Sequence, residues 1–265
     1  VGVRGIVTGI KQSGVQVGTF LGGLLLPAFA AFWNWRVAVL SFLFIPLGGL
    51  AGMIGRKSKQ SERSMADDID APIPLSVRWI AIYGALSGLA TSAIVGFLPL
   101  FAEEDQMWSP QAAGSLIALV GLTGIAARIT WPRLAERTMG HGRTLRLLAW
   151  LSTVSASALS AAAFGLIGSW VLIPAAILLG AGAIAWNAVG MLAVMDLSPK
   201  GMVGKGTGIV LLGFLLGLAA GAPILGYSVD RLGSYRAGWL GCALLLLASA
   251  FVARNIPAGS TVAAS

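Results

Sequence analysis

Eight apolar runs, each long enough to cross a bilayer, divide this chain and fix what it can fold into. They cover approximately residues 5–29, 36–54, 79–101, 111–131, 144–165, 169–195, 206–228 and 237–253. A hydrocarbon core of roughly 30 Å takes about 20 residues at about 1.5 Å of helical rise each. Only 11% of the 265 residues are charged and 57% are hydrophobic, where a soluble domain carries about 25% charged residues. Such a chain cannot cover a water-facing surface. The fold class expected is all-α, a polytopic bundle with lipid as its solvent.

The gaps between runs are informative. Most are short, which forces neighbouring helices to run antiparallel. The longest, 56–78, is polar and holds two prolines. The net charge of +8 does not mark a nucleic-acid partner, because the basic residues fall in short gaps between apolar runs. With the first residue placed inside, Arg4, Arg56, Lys57, Lys59, Arg63, Arg78, Arg133, Arg137, Arg143, Arg146, Lys200, Lys205 and Arg254 share the inner side. Arg36, Arg231 and Arg236 share the outer side. Basic loops stay cytoplasmic, so both termini are expected on that side of the cell's inner membrane.

One cysteine, Cys242, and one histidine, His141, leave nothing to build a disulfide or a metal site on. No clustered His, Cys, Asp or Glu falls at membrane depth, and no phosphate-cradling Gly-rich loop ends in Lys-Ser or Lys-Thr. An enzyme, a cofactor site and an ATP-driven pump are therefore not expected.

The first and seventh runs resemble each other. Thr8-Gly9-Ile10 recurs as Thr207-Gly208-Ile209, and Gly14, Gly18 and Gly22 recur as Gly213, Gly217 and Gly221. Trp35-Arg36 recurs as Tyr235-Arg236. Small residues every fourth position let helix backbones approach closely in lipid. The copies lie six runs apart, so a six-helix unit is repeated in parallel. The expected organisation has residues 1–55 as the last two helices of a truncated first bundle. Residues 56–78 are then a cytoplasmic central loop, 79–254 a complete second bundle and 255–265 a cytoplasmic tail. Four helices are expected ahead of Val1.

Arg4-Gly5, Gly9, Gly14, Gly18, Gly22-Gly23 and Trp35-Arg36 resemble the fifth helix and outer turn of the major facilitator superfamily. Gly124, Arg128, Arg133, Leu134, Ala135, Glu136 and Arg137 resemble its eighth helix and following inner loop, with Pro132 where that family usually has glycine. Leu21 stands where antiporters of the family often have proline. The stretch Gly9-Ile10-Lys11-Gln12-Ser13-Gly14, with Pro27 and Trp35-Arg36 downstream, is similar to the cyanate-permease branch. The resemblance implies a monomeric secondary carrier that moves a small solute by alternating access. It implies a central path lined by the runs at 5–29, 79–101, 111–131, 169–195 and 206–228.

Among those runs, Lys11 lies seven residues beyond Arg4, roughly 10 Å deeper. It either attracts an anion or snorkels to the interface. Gln12 and Gln16, Tyr83 and Thr91, and Trp186 and Asn187 offer polar or stacking contacts to a substrate; packing explains each as well. Tyr83, Ser87, Thr91 and Ser92 mark one polar face. Arg128, Arg133, Arg137 and Glu136 read as gating or structural charges, with Arg128 pairing Glu136 or Asp196. All ten acids fall in gaps or at run ends, so the visible field at depth is positive. The expected function is transport of a small organic or inorganic anion. The alternative is efflux of hydrophobic or drug-like compounds, with Phe97, Phe101, Trp186 and Phe214 as contacts. Glu103-Glu104-Asp105 reads as a solvated loop and Asp230-Arg231 as a surface turn.

Overall fold

The computed structural model describes residues 3–41, 72–199 and 201–258, without the side chains of 3–13, 15, 16, 38 and 41. Every regular element among the described residues is helical. They are α1 (Val3–Phe32), α2 (Trp35–Ser41), α3 (Leu75–Leu100), α4 (Pro110–Leu134), α5 (His141–Ala163), α6 (Leu172–Ala181), α7 (Trp186–Leu197), α8 (Val203–Leu232) and α9 (Arg236–Val252). Six stretches of the described residues are long and apolar enough to cross a membrane: 75–105, 110–139, 141–163, 169–197, 203–232 and 236–255. They match the last six runs of the sequence. The run at 36–54 lies outside the described residues beyond Ser41.

Local chemistry sets the ends. Ser109 caps α4 by accepting from the Ala112 N–H at 3.3 Å, with Pro110 at the first helical position. Gly233, at φ 60°, ends α8 in the left-handed conformation that glycine adopts without strain. The acids Glu103–Asp105 do not form a loop. They continue α3 as a π-helical turn, Phe101–Asp105, shortly after Pro99. A second π turn, Ala135–Met139, follows Pro132 in the same way. Each π turn is closed by a bond reaching five residues back, from the Gln106 N–H to the Phe101 carbonyl at 3.1 Å and from the Gly140 N–H to the Ala135 carbonyl at 2.9 Å. Asp230 and Arg231 are also helical, in the last turn of α8.

The greatest departure from expectation is in the run at 169–195. It is not one helix. A 3-10 turn, Ser169–Val171, leads into α6, and the chain then breaks over 182–185 before α7. Gly182 carries φ −101° and ψ −85°. A methyl there would strike the Ser152 hydroxyl and the Leu148 carbonyl of α5, and one at Gly180 would strike Thr123 of α4. Helices close in on both sides where the ladder stops.

The helices pack in antiparallel or parallel contact around two apolar clusters. One gathers Tyr83, Leu145, Trp186 and Val210 toward the end that carries Arg133, Arg137 and Arg143. The other gathers Phe101, Leu116, Leu159 and Trp239 toward the end that carries Glu103–Asp105. The glycine stripe of α8 lies against α3. A side chain at Gly217 or Gly221 would be driven into the carbonyls of Ala85 or Leu89. The matching α1 positions differ: nothing described stands within 4 Å of a methyl at Gly14 or Gly18. Farther along α1, Gly23 and Gly114 let α1 and α4 touch, and Pro27 packs over Gly114. Helices α1 and α8 end at corresponding positions, 32 and 232.

Candidate functional site

A cavity of about 900 Å³ lies between α1, α3, α4, the break, α7 and α8. Its walls come from helical stripes. Asn187, Met191 and Met195 descend α7 at every fourth residue, and Val203, Thr207, Leu211, Phe214 and Leu218 climb α8. Thr91, Ser92, Val95 and Gly96 close it along α3; Thr19 reaches it from α1. Met195 and Val203 lie at the helix ends nearest the arginines. Thr91 and Leu218 lie about midway along theirs. The space therefore runs from the basic end of the bundle to its middle.

The broken helix makes the middle of this wall polar. A helix end leaves carbonyls without partners, and α4 supplies donors to two of them. Arg128 Nε donates to the Ile184 carbonyl at 3.1 Å. One turn along α4, Trp131 Nε1 donates to the Ala181 carbonyl at 2.9 Å. A guanidinium at the C-terminal end of α6 also meets the negative end of its dipole. Arg128 is only 7% exposed, yet it lines the cavity. Among the described residues on the wall it is the one charged group, and none of them is a carboxylate. In low dielectric its positive field is little screened.

The residues expected to bind substrate or to act as gating or structural charges separate into four groups. Thr91, Asn187 and Arg128 line the cavity. The Thr91 hydroxyl is buried and has no hydrogen-bond partner among the described residues. Tyr83 and Trp186 do not reach the cavity. They are buried behind it, with the Tyr83 hydroxyl donating to the Leu145 carbonyl at 3.0 Å. Arg133, Glu136 and Arg137 sit at the basic end, off the cavity wall. Lys11, Gln12 and Gln16 fall on α1 with side chains outside the described residues.

The polar face of α3 ties helices together. Ser87 reaches Ser249 of α9 at 3.4 Å, and Ser92 accepts from the Ala222 N–H of α8 at 3.0 Å. Thr91 and Ser92 of this face both line the cavity. The wall residues Thr19, Met191 and Met195 do not stand out in the sequence, and Thr207 stands out only as part of the Thr-Gly-Ile repeat. For the two methionines the signal is the four-residue spacing from Asn187, which becomes legible only once Asn187 is placed.

Two contacts clamp the ends. At the basic end, His141 Nε2 and Asp196 Oδ2 are 2.8 Å apart, joining the start of α5 to the end of α7. Asp196 is thus held by His141, not by Arg128 as its sequence setting suggested. Beside it the tail lies across the start of α5, with the His141 N–H donating to the Ala258 carbonyl at 2.6 Å. At the opposite end, Tyr235 donates its hydroxyl to Glu104 at 2.7 Å. Burial, helped by the Glu104 carboxylate, holds the Tyr235 phenol above its ordinary ionisation range.

Comparison with known proteins follows the same lines. The profile of the Major Facilitator Superfamily matches residues 2–210 and again residues 80–263. An uncharacterised transporter of that superfamily's type from Mycobacterium tuberculosis is 25% identical over 254 residues, covering 93% of this chain and 56% of its own length. Monocarboxylate transporter 13 of Rattus norvegicus is 24% identical over 260 residues, covering 96% of this chain and 60% of its own length. The chain therefore spans a little over half the length of these relatives. With its long apolar helices and its cavity beside a broken helix, the chain belongs to the major facilitator superfamily of membrane transport proteins.

Proposed function

We propose that the carrier containing this chain moves a small organic anion by alternating access around the cavity beside the α6–α7 break. The observation that carries this reading is Arg128: a buried guanidinium on the wall of a cavity whose described lining holds no acid. A cation at membrane depth is costly and marks a solute path. Asn187 adds a neutral amide to the same wall. The similarity to a protein named for monocarboxylates supports the same substrate charge.

Residues 1–55 serve in this reading as the closing part of a first bundle, and 79–254 as the second. The corresponding ends of α1 and α8, at 32 and 232, support it. So does the contrast between Gly217, packed on α3, and its counterpart Gly18, where nothing described lies within 4 Å of an added methyl. The basic end faces the cytoplasm of an inner membrane by the positive-inside rule, and the carrier works as a monomer. Arg133, Glu136 and Arg137 then act at the inner gate, and Lys11, Gln12 and Gln16 face the path from α1.

The apolar stripe of α8 favours one rival, efflux of hydrophobic or drug-like compounds. Counterflow into proteoliposomes bearing the full-length carrier separates the two. Saturable exchange of 3-methylbutanoate, resisted by its neutral amide, is the expected result. Ethidium movement without carboxylate movement would replace this reading with the rival.

A further inference from the structure

We propose that the transported anion carries a compact apolar body and that Phe214 is the residue that reads it. This rests on the anion reading above and narrows its substrate class. Phe214 stands on the cavity wall with Val95, Leu211 and Leu218 as neighbours. Its ring is not free to withdraw. It meets Trp186 edge-on, with centroids 5.2 Å apart. Trp186 leans on Tyr83 at 5.4 Å, and Tyr83 is tied to α5 through Leu145.

Glycines make the slot that holds this stack. A methyl at Gly84 or Gly190 would come within 2.8 Å of the Trp186 ring, and one at Gly88 within 2.8 Å of the Phe214 ring. Any larger residue at these positions would push the stack toward the cavity. The Trp186 indole N–H has no partner among the described residues, so the ring serves as bulk. Trp186 and Tyr83 are positioning residues, and Phe214 is the surface they position.

The chemistry of the wall excludes a bare ion as the best fit. Donors on the described wall are few: Arg128, Asn187, Thr91 and some further hydroxyls. Val95, Leu211, Phe214 and Leu218 offer nitrate or formate nothing in return for water it gives up. It would also fill a small part of about 900 Å³. An organic carboxylate places its head on the donors and its body on the stripe. Each methylene removed from water then tightens binding about fourfold.

Calorimetric binding of formate, 3-methylbutanoate, benzoate and benzamide to the purified full-length carrier tests this. Benzoate should bind at least tenfold more tightly than formate, and benzamide weakly. Phe214→Ala should cost benzoate about tenfold while changing formate by less than twofold. Phe214→Leu keeps the wall apolar and guards against a folding defect; it should weaken benzoate but spare 3-methylbutanoate. Formate binding as tightly as benzoate would overturn the apolar-body proposal and leave the anion reading standing. Benzamide binding as tightly as benzoate would overturn the anion reading itself. Unchanged benzoate affinity in both Phe214 variants would remove Phe214 from the role.

Discussion

Arg128 Nε donates to the backbone carbonyl of Ile184 at 3.1 Å, tying one spanning helix to the gap in another. That bond makes the break between α6 and α7 a fixed feature of the fold, and it brings a cation to the cavity.

The neighbouring bond can be tested without touching the cavity. Trp131→Phe removes the indole N–H from the Ala181 carbonyl and keeps an aromatic ring. An unsatisfied buried carbonyl costs about 1–3 kcal/mol. The variant should melt earlier in detergent, with faster hydrogen exchange confined to residues 178–188. Unchanged exchange there would mean the break holds without its donor.

Packing of α8 on α3 predicts a sharp contrast between two glycines. Gly221→Val drives a side chain into the Leu89 carbonyl and the Ser92 hydroxyl. Overpacking of that kind costs about 1–3 kcal/mol or more. Gly241→Ala meets nothing described within 4 Å and lies inside α9, where alanine is the better helix former by about 1 kcal/mol. Melting should fall for the first and hold or rise for the second.

How much the sequence revealed follows from the physics of each feature. Apolar length alone locates the last six spans, because hydrocarbon thickness sets a minimum that composition must meet. The repeat of Thr-Gly-Ile and the glycine stripe pairs α1 with α8, and their ends at 32 and 232 keep that register. The α6–α7 break is invisible in sequence, because Gly180 and Gly182 look like ordinary spanning glycines among alanines. Only the donors on α4 reveal it. Thr91 and Asn187 stand out for a reason the cavity shares, polarity on a lining helix. Trp186 stands beside Asn187, but adjacent residues lie about 100° apart around a helix, so one faces the cavity and the other the bundle. The glycines that hold Trp186 inward come from α3 and from α7 itself, a relation no single helix displays.

At the basic end, Asp196→Asn weakens the His141 contact between α5 and α7. A hydrogen bond to a charged group contributes about 1.5–3 kcal/mol; the Asp196 side chain is 39% exposed, so water returns part of that. Melting should fall by a few degrees, and combining His141→Ala with Asp196→Asn should add little further loss. Additive losses in the double variant would show that the two residues act separately.

Tyr235 gives the fold an alkaline sensitivity. Its phenol ionises higher in the folded chain than in the unfolded one, through burial first and the Glu104 carboxylate second. Above about pH 10 the unfolded chain sheds a proton that the folded chain keeps, so stability falls as pH rises. Tyr235→Phe removes that contribution. Its melting temperature should drop less than the parent's between about pH 9 and about pH 11. Parallel curves would place the alkaline loss elsewhere.

The most direct measurement is benzoate binding to the full-length carrier and its Arg128→Gln variant, by calorimetry at equal ionic strength. Glutamine retains a donor for the Ile184 carbonyl but carries no charge. Removing a charge-assisted bond of about 1.5–3 kcal/mol weakens binding roughly 10- to 100-fold. The account predicts that loss, with a melting temperature close to the parent's. Benzoate bound equally well by both proteins would contradict it.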